Sequence, residues 1–447
     1  MSDLEAVPAA RRATRPPYAA TAAVLLGFVA LSQVLPAAKR AFGGNVPPLF
    51  AKAHPSVGPW VVLAVAVMGC GILALPRVMR APTWLFIVCT VGFAWVLALA
   101  LAASSSSGLA GISAPFRRPL DYWANVPLVN ALGPRAFAEH FAQLTQRLSL
   151  HAQTHPPGAP LLLWLLSRLT GGSVMASSVL VALIGAAVTA PTYALAREPY
   201  GEPAARAAAV LCACSPGVLL YAATSMDAVF MTVAAAALAA IVRAPRSSGW
   251  AFAAGLLVVI GLCFTFGVAL LGIVVAGVWW LAATDRPRRL GFAVLARRTA
   301  VLVAGGVAGV ALARILLGID LRSAFHAALT ADLHDPSRGR SYLYWLVADI
   351  PAFLLSAGVA QSALLVEATR SRWRARRPGL DAVLWVTLVV ASASGIFRGE
   401  VDHIWLLLVP LLMAVAGSAA AEADPRGPCA GGLGQALAEQ LLLNTFW

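Results

Sequence analysis

The chain has 447 residues, 60% of them hydrophobic and 12% charged, with a formal net charge of +14. Soluble domains carry about 25% charged residues, so an ordinary water-soluble globule is excluded. The basic excess falls in short loops between apolar runs, where it sets membrane topology rather than marking a nucleic-acid surface, and no nucleic-acid partner is expected.

Residues 1–17 form a cytoplasmic segment with Arg11, Arg12 and Arg15 ahead of an apolar run. That run is long and lacks a clear small-residue cleavage site, which reads as a signal anchor that stays attached. Apolar runs follow at 18–36, 59–76, 83–103, 174–195, 204–222, 228–243, 249–264, 266–283, 299–317, 341–366, 380–397 and 404–421. The expected fold is therefore all-α: a polytopic transmembrane helical bundle of about 12 spans over 18–421, long enough for a ~30 Å hydrocarbon core. An outer loop, 104–173, carries juxtamembrane helices. The remaining residues, 422–447, are expected to form a cytoplasmic tail with a short apolar helix at 433–443 in the inner interface. The protein is expected to be multi-pass in the cell membrane with both termini cytoplasmic.

One apolar stretch, 160–169, is too short to cross at about 1.5 Å per residue. It starts after Pro156-Pro157-Gly158 and ends at Thr170-Gly171-Gly172, so a juxtamembrane or re-entrant helix is predicted. Charge sidedness supports this choice. With the stretch non-spanning, 20 of the 33 basic residues lie on inner segments; a crossing there would put the arginine-rich 285–298 and 370–377 loops outside, against the positive-inside rule.

The same layout puts all seven histidines, His54, His140, His151, His155, His326, His334 and His403, on outer segments. Asp121, Glu139, Asp227, Asp320, Asp332, Asp335, Glu400 and Asp402 join them. Polar chemistry is thus expected on the outer face. Of the six cysteines, Cys70, Cys89, Cys212, Cys214 and Cys263 fall within spans and Cys429 in the tail; no spacing gives a disulfide framework or a metal knuckle, and they read as small packing residues.

Ser104–Ser107 leads out of the third span into the long outer loop. The loop holds Pro115-Phe116-Arg117-Arg118-Pro119-Leu120-Asp121-Tyr122-Trp123, then a helix-like stretch at 134–150, then Thr154-His155-Pro156-Pro157-Gly158. Asp121 is either a base for an acceptor hydroxyl, with Arg117 and Arg118 steering anions, or a surface partner of those arginines. His151 and His155, four apart, share a face if helical, but no third ligand is identifiable and no metal site is assigned; whether a divalent metal is needed stays open. Asp227 follows Thr224-Ser225-Met226 at the outer end of two spans. An acid there either faces a cavity or caps the next helix.

Two later segments mix acids with arginines at the membrane edge. They are Asp332-Leu333-His334-Asp335-Pro336-Ser337-Arg338-Gly339-Arg340 and Arg398-Gly399-Glu400-Val401-Asp402-His403. Asp335, Arg338, Arg340, Arg398 and Glu400 are candidate binding residues for a lipid phosphate, or else interface anchors. Inside spans, Asp349 and Arg314 are a candidate pair.

In order and spacing over roughly 83–410, these landmarks resemble the GT-C superfamily of membrane glycosyltransferases, which includes protein O-mannosyltransferases and lipid A aminoarabinose transferases. The residues that carry the resemblance are Asp121, His155-Pro156-Pro157, Gly171-Gly172, the 197–206 inner loop and Asp227. Thr154-His155-Pro156-Pro157-Gly158, Ser225-Met226-Asp227-Ala228 and the 399–405 run look like an actinobacterial branch of such proteins. The resemblance implies inverting transfer from a polyprenyl-phosphate-linked sugar, serving as donor substrate, to a glycan, lipid or protein acceptor on the outer face. It makes Asp121 the catalytic base, puts His155 near the donor phosphate and puts Asp227 in the cavity. The alternative is a polytopic transporter or lipid flippase; a carrier would concentrate polarity and broken helices near the midplane in two related halves, and neither is visible here.

Overall fold

The computed structural model describes residues 16–103, 108–223, 225–284, 289–421 and 424–445. Arg11, Arg12, Arg15, Ser104–Ser107, Thr224, Arg286 and Arg288, all used above, lie outside them. The described chain is an all-helical bundle, and its only sheet is one antiparallel pair of three-residue strands. Helix occupies the centre of each of the twelve segments read as spans. By length and composition alone, seven described helices can cross a membrane, or eight if one bent pair counts as a single span.

The difference lies in how legs are joined. Val174–Ala213 passes as one stretch of 40 residues, which as a straight helix would be about 60 Å long, twice the hydrocarbon thickness. It is a hairpin instead. Gly201, at φ 82°, breaks the helix Thr189–Ala213, and Thr192 Oγ1 comes to 3.5 Å from Cys212 Sγ, twenty residues on. The span expected at 341–366 is likewise two helices, Tyr342–Ala357 and Val359–Arg374, bent by 111°. Gly358 makes the bend at φ 112°, where a Cβ would strike Gln361 and Pro216.

Small residues let the legs approach closely, as bundles in lipid require. A Cβ on Gly417 would lie 2.6 Å from the Ala204 carbonyl oxygen. Gly255 and Gly305 play the same part where Ser248–Leu262 packs on Phe292–Leu317. The opposite side of Phe292–Leu317 exposes Val303, Val307, Val310, Ile315 and Leu316, an apolar face suited to lipid.

The bundle has two chemically distinct ends. At one, Arg206 donates to the Met79 carbonyl (2.7 Å) and to Glu202 (2.8 Å), Arg243 donates to the Ala194 carbonyl, and Arg372 lies over the Tyr200 ring and pairs with Asp381 at 3.5 Å. The acids and histidines of the site gather at the other end. The helix Gly158–Leu169 has 12 residues and lies at that end, too short to cross. The 134–150 stretch is not one helix but a series of short turns, Pro134–Glu139, Phe141–Leu144 and Thr145–Arg147.

The tail departs from expectation. Its helix, Arg426–Leu442, leads into β2, Leu443–Thr445, which pairs antiparallel with β1, Ala51–Ala53. His54 N donates to Leu442 O (2.8 Å) and Ser56 N to Leu441 O (2.7 Å). An inner tail and an outer 37–58 segment cannot both hold. The helix leaves Asp424 at the arginine end, packs Gly432 on the Cys214 carbonyl, and bonds Gln435 to Leu355 O and Val359 N, both at 2.8 Å. It ends beside His54, at the site end. Seventeen residues reach about 25 Å. Gln435 and Glu439, bonded to each other at 2.7 Å, lower its hydropathy, and Arg426–Leu442 is not among the described helices apolar enough to cross by composition.

Candidate functional site

Asp121 is 5% exposed. It caps the 3-10 turn Tyr122–Asn125, its Oδ1 accepting from Trp123 N at 3.2 Å. It is therefore not a surface partner of Arg117, whose Nε donates to Ser113 Oγ at 3.3 Å. Burial pushes its pKa up to about 7; the Asp227 carboxylate adds to this rise, while the Trp123 amide and the Arg118 guanidinium oppose it. The two acids, 106 positions apart in the chain (227 − 121), thus share one electrostatic environment.

Asp227 opens the helix Asp227–Arg243 as its first residue, and Met226, not Asp227, is the cap position. Its Oδ2 accepts from Ser225 Oγ at 2.5 Å, and its own N–H donates back to that hydroxyl at 3.0 Å. The capping alternative is not realised; the carboxylate closes on its own turn and stays partly open.

His155 is fixed between these two segments. Its Nδ1 lies 3.0 Å from the His151 carbonyl oxygen, so Nδ1 is the protonated nitrogen there. Its ring stacks on Phe230 (5.7 Å) and meets Tyr122 edge-on (5.8 Å). Burial pulls the imidazole pKa down, the Asp227 charge opposes this, and the neutral ring is favoured. The His-Pro-Pro-Gly turn then enters Gly158–Leu169, with Gly158 N donating to Cys263 O at 2.8 Å and no room for a Cβ against that carbonyl. His151, also beside Tyr122 (5.9 Å), is pushed down by burial to about 3.

The remaining candidates form a separate knot. Arg340, 6% exposed, pairs with Glu400 at 2.5 Å, donates to Arg398 O at 2.8 Å, and lies over the Phe42 and Phe50 rings. Arg398 donates to Arg338 O (2.9 Å) and Gly395 O (3.1 Å), and Arg338 pairs with Asp332. Asp335 caps Pro336–Gly339 through Ser337 N at 2.7 Å. These guanidinium groups are engaged in tying three connecting segments together. The proposed Asp349–Arg314 pair does not form: Asp349 accepts from Gly399 N at 3.1 Å, and Arg314 pairs with Asp320 at 3.6 Å.

A further set joins the two groups. Asp402 Oδ2 accepts from Tyr221 OH (3.0 Å) and from Phe50 N (3.2 Å), and His403 stacks near Tyr221 at 5.6 Å. Asp402 and His403 were visible as outer charges, but Tyr221 reads as one more apolar-span residue, and nothing in the sequence pairs it with a carboxylate 181 residues on.

Residues 154–315 match the family model described as dolichyl-phosphate-mannose-protein mannosyltransferase. The match takes in His155-Pro156-Pro157 and Asp227 and leaves out Asp121 and the arginine knot. Among solved structures, the crystal structure of ArnT from Cupriavidus metallidurans in the apo state is similar at 18% identity and a TM-score of 0.44; the similarity covers 68% of this chain and 60% of that one. The chain thus spans less than two thirds of that structure's length. No curated protein matches the chain. The resemblance to GT-C superfamily membrane glycosyltransferases, first read from the order of Asp121, His155-Pro156-Pro157 and Asp227, is supported over 154–315 by the family match.

Proposed function

We propose that this protein is a membrane glycosyltransferase that moves a sugar from a polyprenyl-phosphate donor to an acceptor hydroxyl, at the end of the bundle bearing Asp121, which is the extracytoplasmic one. The observation that carries this reading is the meeting of three separate segments through Tyr122, next to Asp121, His155, and Phe230, one turn after Asp227, whose rings are in mutual contact. A base works best when its pKa lies near the operating pH, and burial brings Asp121 to about 7.

In the proposed step the acceptor oxygen attacks the anomeric carbon from the face opposite the phosphate. Asp121 takes the hydroxyl proton as the new C–O bond forms. The bond from the anomeric carbon to phosphate oxygen breaks, and polyprenyl phosphate leaves with the electron pair, so the configuration inverts. Asp227 stabilises the positive charge that develops on the sugar. His155 offers Nε2 toward the phosphate, whose negative charge favours the doubly protonated ring that can donate there. Arg118, whose charge already reaches Asp121, draws the anionic donor inward.

The test is transfer in lipid nanodiscs from a panel of radiolabelled decaprenyl- and undecaprenyl-phosphate hexoses and pentoses. Release of free polyprenyl phosphate with label appearing on an added membrane-extract acceptor supports the reading. Binding or transbilayer movement of the same lipids with no bond cleavage would replace the enzyme by a carrier.

A further inference from the structure

We infer that Asp402 and Tyr221 are positioning residues, which hold the turn that presents Asp227 to the reacting sugar; the role rests on the transferase reading of the site. The path is continuous in hydrogen bonds. Asp402 is 3% exposed, and its Oδ2 accepts from Tyr221 OH at 3.0 Å and from Phe50 N at 3.2 Å. Its backbone oxygen accepts from Ser356 Oγ at 2.5 Å. The carboxylate is therefore gripped from Pro216–Ala222 and from the segment after the first helix, and the backbone of the same residue from Tyr342–Ala357, three elements far apart in sequence.

Tyr221 passes this anchorage on. It stands in the last turn of Pro216–Ala222, a helix of 7 residues. Its carbonyl accepts from Ser225 N at 3.1 Å. Ser225 Oγ in turn donates to Asp227 Oδ2 and accepts from Asp227 N. So one side chain fixes the phenol, the phenol's residue fixes the serine, and the serine fixes both the backbone and the carboxylate of Asp227.

The physical need is plain. Asp227 begins its helix without a side-chain cap, on a short connection, and local bonds alone leave such a turn free to pivot. A phenol bonded to a buried carboxylate is charge-assisted and about twice as strong as a neutral bond. Removing the hydroxyl leaves the Asp402 carboxylate short of a donor in a place where water does not replace it. The turn then loses its outside reference, and Asp227 moves over a wider range of orientations.

The test reads Asp227 itself, with no substrate. The full-length protein in detergent is treated at neutral pH with a water-soluble carbodiimide and an isotope-labelled amine, and amide formation at Asp227 is followed by peptide mass spectrometry. Tyr221→Phe, which keeps the ring against His403, should raise the Asp227 labelling rate severalfold. Asp402→Ala should do the same, and Asp402→Asn, which still offers an acceptor oxygen, should restore most of the protection. A distant control, Thr330→Ala, should leave the rate unchanged. In the transfer assay, Tyr221→Phe should lower kcat about tenfold or more with donor KM little altered. Wild-type labelling in Tyr221→Phe, in a monodisperse sample, overturns the proposal. Should Tyr221→Phe not fold, equal labelling of Asp402→Ala and wild type overturns it instead. If the labelling shifts appear but wild-type protein cleaves no donor, the positioning of Asp227 stands and the transferase reading falls.

Discussion

The ring of Tyr122 meets the ring of His155 edge-on, with centroids 5.8 Å apart and planes at 86°. Tyr122 follows Asp121 directly, and His155 precedes the two prolines of the loop's end. Phe230, one turn into the helix that Asp227 begins, stacks on His155 at 5.7 Å and meets Tyr122 edge-on at 6.3 Å. Three aromatic rings thus weld the three segments that bring the site groups together, and a shift in one displaces the others.

Asp121→Asn keeps the shape and the cap on Trp123 N but removes the proton acceptor. The variant should accumulate in membranes as wild type does and still bind the lipid donor. Transfer should fall by about 10²–10⁴-fold, the usual loss for an acid–base group. Transfer at the wild-type rate would remove Asp121 from the mechanism.

The pH profile should carry the Asp121 signature. Its pKa is raised to about 7, so the base form, and with it kcat/KM, should increase as pH rises through about 7. Arg118→Gln removes a charge that holds this value down and should move the midpoint upward; Asp227→Asn removes one that pushes it up and should move any residual activity's midpoint downward. The stability effect has the opposite sign. A carboxyl raised from 3.8 prefers its protonated form when folded, so its contribution is fully present below pH 3.8 and is lost as pH rises through about 7. An Arg118→Gln profile superimposable on wild type would contradict this account.

Arg340→Gln should be among the most damaging single changes away from the acids. It leaves the partly exposed Glu400 with less compensation and removes the cation that lies over the Phe42 and Phe50 rings. Arg340 itself is buried, so its hydrogen bonds to Glu400 and to the Arg398 carbonyl are lost where little water replaces them. A large fall in the detergent melting temperature is expected, with the knot of Arg338, Arg398 and Glu400 loosened; an unchanged melting curve would show that the knot carries little load.

Sidedness can be read with single cysteines in a background without native ones. Asn444→Cys and Lys52→Cys, cross-strand partners in the β pair, should react with an impermeant thiol reagent from the same side, and the double variant should oxidise to a disulfide. Ser371→Cys, near the arginine end, should react only from the other side. Labelling of Asn444→Cys together with Ser371→Cys would return the tail to the inner face.

Much of the scaffold was legible because the bilayer imposes a length rule that runs of Val, Leu and Ala obey openly. The candidate acids stand out on separate grounds: Asp227 at the outer end of two spans, where polar groups are costly, and Asp121 in the long outer loop between a basic and an aromatic pair. What was hidden depends on tertiary contact. The bend at Gly358 is set by one glycine inside a run whose hydropathy does not change. The tail helix partly buries Gln435 against the backbone of Leu355 and Val359 and bonds it to Glu439, so its composition understates how closely it packs on the bundle. The arginines of the 338–398 knot looked like anion ligands because sequence shows their charge and not the carbonyls that occupy them. Tyr221 could be found only by seeing what its hydroxyl touches.

The strand pair also sets an order of events in biogenesis. β1 leaves the ribosome about 390 residues before β2, an interval of roughly 20–80 s at ordinary elongation rates of about 5–20 residues per second. Throughout that time the segment around Ala51 has an unpaired edge, a state that invites wrong partners, and Phe50 lacks the carboxylate of Asp402 that later receives its N–H. The early segment therefore waits unpaired until the helix from Arg426 has packed on the rest of the bundle. Chains released before that step would carry every acid of the site and still lack the strand that closes the circuit from the first loop to the tail.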